Sequence, residues 1–225
     1  MTEKLAHPDW EFQIAFEDGS CSVLVLENPV QMRSYVVELL SQCRGGEGSF
    51  VFSLNDEPVD ISKKVSIVTD PLNVDPTNKV VTAAVQQMIK TLIISSDHYK
   101  ESHDLLTHME QFADSIAADC AVNVVHPDYD VAGLSKMLNF QLQVDYQNEL
   151  ERVMEFMNVM HDLCSFDCFD FISAFSLFSS EELDTLINEA TSNKHNILFI
   201  EAREPERLTS QVKKFIIDKD FCQIF

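Results

Sequence analysis

The glycine cluster Arg44-Gly45-Gly46-Glu47-Gly48-Ser49 has the residue type that lets backbone N–H groups approach a phosphate. It lacks the Gly-Lys-Ser/Thr ending of a phosphate loop, and it follows a predicted helix instead of opening one. It therefore reads as a helix-ending turn. His98, His103 and His108 recur every five residues. On a helix, at about 100° per residue, each step swings the imidazole far around the axis, so the three cannot share one metal. They read as exposed helix histidines. Neither Cys164 nor Cys168 has a histidine on a recognisable nucleophile motif. Ser173, Ser176, Ser179 and Ser180 read as caps and turns, with no Gly-x-Ser-x-Gly elbow among them. No catalytic constellation emerges.

Two charged sets remain. Asp119, Asp128 and Asp130 surround the break His126-Pro127 between predicted helices. Hard oxygen ligands on such a turn can hold Ca²⁺, although the pattern is not an EF-hand, and solvated acids or a helix cap also account for it. Lys63, Lys64, Arg203, Arg207, Lys213 and Lys214 flank predicted strands or helices. As snorkelling surface cations they need no ligand. Gathered in a ring or groove, they would hold the phosphates of a duplex without reading its bases.

The formal charge of -21, from 16 basic and 37 acidic side chains, argues against generic nucleic-acid binding. A whole-chain sum hides clustering, however: six of the 16 basic residues lie between Lys194 and Lys219. The six cysteines are scattered, with no Cys-x-x-Cys, and imply core packing rather than a disulfide framework. The start MTEKLAHPDWEF has no apolar signal core, and no apolar run approaches membrane-spanning length. A cytoplasmic location without membrane contact is expected.

Positioning these residues requires an α/β fold. Glu11–Phe16 and Cys21–Glu27 read as a hairpin around Asp18-Gly19. Asn28 can cap a helix with Pro29 in its first turn, ended by Gly45-Gly46. Phe50–Leu54 and Lys64–Asp70 read as strands. From Asp75, a plausible cap, and Pro76, the pattern turns helical: Val80–Ile94, Tyr99–Cys120 and about Val131–Leu138, then a strand at Phe140–Val144 and a helix from Asn148 to Leu163. Phe169–Phe175 reads as a strand. Ser179 and Glu182 form a capping box for the next helix, and Ile197–Glu201 is a strand buried on both faces. Such a strand–helix–strand unit implies parallel pairing. A helix through Arg207–Ile217 and an end strand, Phe221–Phe225, complete the expectation. The domains expected are a discontinuous head, residues 1–75 and 151–225, and a helical leg, 76–150.

At NILFIEAR (Asn196–Arg203) followed by FIIDKDF (Phe215–Phe221), the chain resembles the type II-A CRISPR adaptation proteins of the Csn-two family. The similarity extends back through Asp128–Gln143 and Val65–Asn78 and spans nearly the whole chain in layout. The resemblance implies a compact α/β head with a mainly parallel sheet, related to phosphate-loop folds but without the loop, and a long helical leg inserted into it. It also implies a homotetrameric ring that binds linear double-stranded DNA ends through a central hole, with no known catalytic duty. The implied role is spacer acquisition beside the CRISPR integrase subunits and the RNA-guided effector nuclease. Calcium ions are implied to brace the leg, with Asp119, Asp128 and Asp130 carried over as ligands. Val122, Val124 and His126 stand where that segment of the family is acidic. Leu163–Asp167 stands where relatives carry basic residues. The DNA-facing set carried forward is Lys63, Lys64, Lys136, Arg203, Arg207, Lys213 and Lys214. The rival readings are a divergent nucleotide-binding hydrolase without a standard phosphate loop and an acidic scaffold that binds only proteins.

Overall fold

The computed structural model of the chain describes residues 2–17, 19–205 and 212–225. It divides into two compact units, one formed by Met1–Pro76 with Asp145–Phe225 and the other by Thr77–Val144. Its described strands are β1 (Thr2–Ala6), β2 (Ile14–Glu17), β3 (Cys21–Leu26), β4 (Val51–Leu54), β5 (Glu57–Val59), β6 (Val65–Val68), β7 (Cys168–Ile172), β8 (Asn196–Glu201), β9 (Val212–Ile217) and β10 (Gln223–Ile224). Its α-helices are α1 (Pro29–Cys43), α2 (Lys79–Ile93), α3 (Tyr99–Asp119), α4 (Val131–Leu138), α5 (Glu149–Cys164) and α6 (Ser180–Ser192).

The first unit is α/β, and its main sheet has six strands in the order β10-β9-β3-β8-β7-β6. All pairings are parallel except that of β10 with β9. β3 and β8 are buried at every position, as strands covered on both faces must be. On one face Leu24, Leu26, Cys168, Leu198 and Ile200 pack against α1 and a small antiparallel sheet of order β2-β1-β4-β5. On the other, Phe156 of α5 meets Phe169 edge-on at 6.4 Å, and Leu183, Leu186 and Ile187 of α6 are buried. Each fully buried phenylalanine contributes about 1.5–3 kcal/mol, so Phe169, Phe171 and Phe199, all 0% exposed, anchor the centre.

Local chemistry sets the helix ends. Asn148 accepts from the Glu151 N–H at 2.9 Å to start α5. Ser179 and Glu182 make the expected reciprocal capping box on α6. Gly45, at φ +82°, follows the end of α1 in the left-handed conformation that favours glycine.

Several expected elements differ. β2 pairs with β1, not with β3, so the turn at Gly19 carries the chain from the small sheet to the main one instead of closing a hairpin. Residues 140–144 form no strand. The N-cap of α2 is Asn78, whose side chain accepts from Val80 and Val81, and Asp75 and Pro76 precede it. The helix expected through Arg207–Ile217 is a strand over Val212–Ile217; residues 206–211 lie outside the described residues.

The second unit consists of α2, α3 and α4. Val81, Val85 and Ile93 of α2 are buried together with Leu134 of α4, and Ser135 donates to Gln86 at 2.9 Å. The 21-residue α3 buries no residue. Its Leu105, Phe112 and Ile116 share one face by their spacing and are 43%, 69% and 52% exposed.

Candidate nucleic-acid interface

Ligands of open parallel sheets sit beyond the carboxyl ends of the strands. Here β3 runs into α1 through Glu27 and Asn28. The Glu27 N–H donates to the Ile217 carbonyl at 3.0 Å, which ties the turn to β9. Asn28 Oδ1 accepts from Val30 at 3.0 Å and Gln31 at 3.3 Å. Those first-turn amides are the donors a phosphate would need, and a side chain of the protein holds them. The glycine cluster serves packing instead: a Cβ on Gly48 would stand 2.5 Å from Gln42 Cδ, and one on Gly46 would stand 2.4 Å from Ser41 Oγ. Close by in the sheet, the buried Glu201 at the end of β8 accepts from the Phe175 N–H at 3.0 Å. Burial pushes its carboxyl pKa up to about 7.

The basic residues fall into bound and free groups. Lys64 is bound: its ammonium donates to Asp167 at 2.6 Å and to the Ser165 carbonyl at 3.3 Å. Lys214 on β9 is paired with Glu204. Lys63 is exposed, 3.4 Å from Asp60 of its own turn, a pairing that solvent makes weak. Lys213 on β9, Arg203 after β8 and Lys136 on α4 are exposed. Arg207 lies outside the described residues.

The strand register brings some of these together. Val65, Cys168 and Asn196 lie level across β6, β7 and β8, and Cys21 is level with Ile197 and Val212. Lys63 and Lys64 lead into β6, and Lys213 is the second residue of β9, so all three belong to the amino end of the sheet. Arg203 belongs to the opposite, carboxyl end. Lys194 joins the amino-end group; it is exposed and stands two residues before β8. Sequence reasoning passes over it, although a lysine between a capping-box helix and a following parallel strand has to lie near the amino end of the sheet.

A polar cluster at this same end explains why Lys64 is not free. Asn196 donates to Glu3 Oε2 at 2.7 Å, and burial, then the nearby Asp167, pushes the Glu3 carboxyl pKa up. His161 Nε2 stands 4.0 Å from Asp167, and the His161 ring lies 4.8 Å from that of His195. Burial, followed by the neighbouring His161, pushes the His195 pKa down to about 4.

The three candidate metal ligands do not converge. Asp119 ends α3 and is exposed, as is Asp128, while Asp130 caps α4 by accepting from the Gly133 N–H at 2.6 Å. Among the described residues no group of three or more His, Cys, Asp or Glu side chains is placed to hold a metal. His126 instead reaches Asp114 Oδ1 at 3.1 Å and the Pro127 carbonyl at 2.9 Å, interactions that push its pKa up. These residues do not fit a calcium site. His98, the N-cap of α3, and His103 and His108 within it are exposed.

No helix among the described residues is long and apolar enough to cross a membrane. A family model described as CRISPR-associated protein (Cas_Csn2) matches residues 42–221. Among solved structures, the chain is similar to a protein described as an ABC transporter ATP-binding protein from Pyrococcus furiosus. The two share 10% identity at a TM-score of 0.41, over 95% of this chain and 97% of that one.

Proposed function

This chain belongs to the CRISPR-associated Csn2 family, and from that premise we propose that it is a non-enzymatic, cytoplasmic protein of spacer acquisition. In this reading it forms a homotetrameric ring that binds linear double-stranded DNA ends without reading their sequence, and it works beside the CRISPR integrase subunits and the RNA-guided effector nuclease. The observation that carries it is the Asn28 cap. With the Val30 and Gln31 amides of α1 already paired with the Asn28 side chain, and no Gly-Lys-Ser/Thr sequence leading into that helix, the carboxyl end of β3 lacks the built phosphate loop that the hydrolase alternative would use.

The groups available to DNA are then surface cations. Lys63, Lys194 and Lys213 share the amino end of the sheet, and exposed lysines grip phosphates without base readout. An otherwise acidic molecule of charge -21 repels the duplex everywhere else. Self-association is supported by the uncovered apolar face of α3, since contiguous exposed apolar surface marks an interaction site. Calcium has no part in this proposal.

A binding assay with linear and circular duplexes, combined with sizing of the complex, tests it. Preference for linear DNA by a tetramer is expected. Failure to bind any duplex would leave the protein-only scaffold, and ATP turnover by the purified protein would revive the hydrolase.

A further inference from the structure

We propose that the segment between α3 and α4 is fastened to α3 by the pairing of His126 with Asp114 in place of a bound calcium ion, so that the unit Thr77–Val144 keeps its structure without metal. Calcium needs about 6–8 oxygen ligands, and this segment does not supply them. Val122 and Val124 offer no side-chain oxygen. Asp130 Oδ1 already accepts from the Gly133 N–H, and Asp119 and Asp128 are exposed and belong to no ligand group. The His126 imidazole is a poor ligand for a hard cation.

The bridging task that a cation would perform is done by that ring. Nε2 meets Asp114 on α3 at 3.1 Å, and Nδ1 meets the Pro127 carbonyl at 2.9 Å. Because the Pro127 carbonyl and the Asp114 carboxylate both accept, both ring nitrogens must donate, so the two contacts are made together by the imidazolium form, which they favour. Tyr129 stacks on the imidazole at 5.5 Å, with 21° between the planes. Glu110, Asp114 and Ala117 lie at helical spacing on α3 and line one cleft with Val124, Val125 and His126, so the segment rests against a single face of the helix.

The test is thermal unfolding of the purified full chain in millimolar calcium and in excess chelator, and it is independent of DNA binding. The wild-type midpoint is expected to differ by less than about 1 °C between the two conditions. At a pH where the imidazole is charged, His126→Ala and Asp114→Ala should each lower it by about 1–2 °C in both conditions, a small loss because Asp114 lies in solvent. The double variant should lose no more than the larger single loss, because the same interaction is removed in every case. A calcium-dependent rise of more than about 2 °C in the wild type, or additive losses in the double variant, overturns the proposal. The wild-type comparison stands even if a variant fails to fold.

Discussion

Gln42 pairs with the main chain of Phe50 in both directions. Its Nε2 donates to the Phe50 carbonyl at 2.9 Å, and its Oε1 accepts from the Phe50 N–H at 3.0 Å. The buried amide therefore joins the last turn of α1 to the entry of β4, and Gly48 packs on it with no room for a Cβ. Gln42→Ala should cost about 2–4 kcal/mol, because two buried backbone groups lose their partners together. Denaturant unfolding measures this. A loss below about 1 kcal/mol would show that water replaces the amide without penalty.

Lys63 and Lys64 are neighbours in sequence and should separate in experiment. Lys63→Ala and Lys213→Ala should weaken duplex binding and reduce the log–log salt slope by about 0.9 for each phosphate no longer neutralised. Lys64→Ala should leave that slope nearly unchanged and lower the unfolding midpoint instead, since its ammonium is committed to Asp167 and Ser165. Equal slope changes for all three would refute the division into bound and free lysines.

The apolar face of α3 predicts a change of assembly without a change of fold. Phe112→Ser with Ile116→Ser should shift the sedimenting species towards the monomer while altering stability by no more than about 0.5 kcal/mol per site, as both side chains are exposed in the chain alone. Sedimentation velocity with parallel circular dichroism reads both effects. An unchanged sedimentation coefficient would remove α3 from the interface.

Asp170 on β7 is 0% exposed, and its Oδ1 accepts from the Cys168 thiol at 3.4 Å. Burial pushes its pKa up to about 7 from an ordinary value near 3.8. A carboxyl whose folded pKa is raised stabilises the fold fully below the unfolded value, and that contribution fades as pH climbs through the folded one. Asp170→Asn should accordingly gain stability relative to wild type between about pH 4 and 7, levelling off above at a few kcal/mol. His195 works the other way: with its pKa lowered to about 4, its contribution is present above about pH 6.5 and is lost on acidification towards 4. His195→Gln should flatten that acid limb. Unfolding curves across this pH range, with variants unchanged in slope, would contradict both assignments.

Which features are legible in the sequence follows the reach of the interactions behind them. The caps at Asn28 and at Ser179 with Glu182 depend on residues two or three apart, and both occur as written in the sequence. The buried run at Ile197–Glu201 signals a central strand through its own composition. β9 reads as a helix from sequence because its full ladder is with β3, far earlier in the chain, and only Ile216 and Ile217 pair with the nearby β10. Lys213 and Lys214 are left exposed, so the segment lacks the alternation of a strand. The N-terminal hairpin fails for a related reason: β2 takes β1 as its partner and β3 takes β8 and β9, choices made by strands distant in sequence. Phe140–Val144 has strand-forming residues, but among the described residues its unit, Thr77–Val144, holds no strand to pair with. At the candidate interface, residue type marks the lysines, whereas only the register reveals which share an end of the sheet and which are already committed to carboxylates.

The position of β3 between β8 and β9 also sets a timetable for the nascent polypeptide. The central strand leaves the ribosome well ahead of both neighbours, with Cys21 level with Ile197 and Val212. Pairings so distant in sequence form slowly. Thr77–Val144 is contiguous and is fully translated before either neighbour exists. Amides of α2 and α4 should therefore gain protection in pulsed hydrogen exchange before those of β3, leaving CSVLVL as the stretch a chaperone has longest to hold during synthesis.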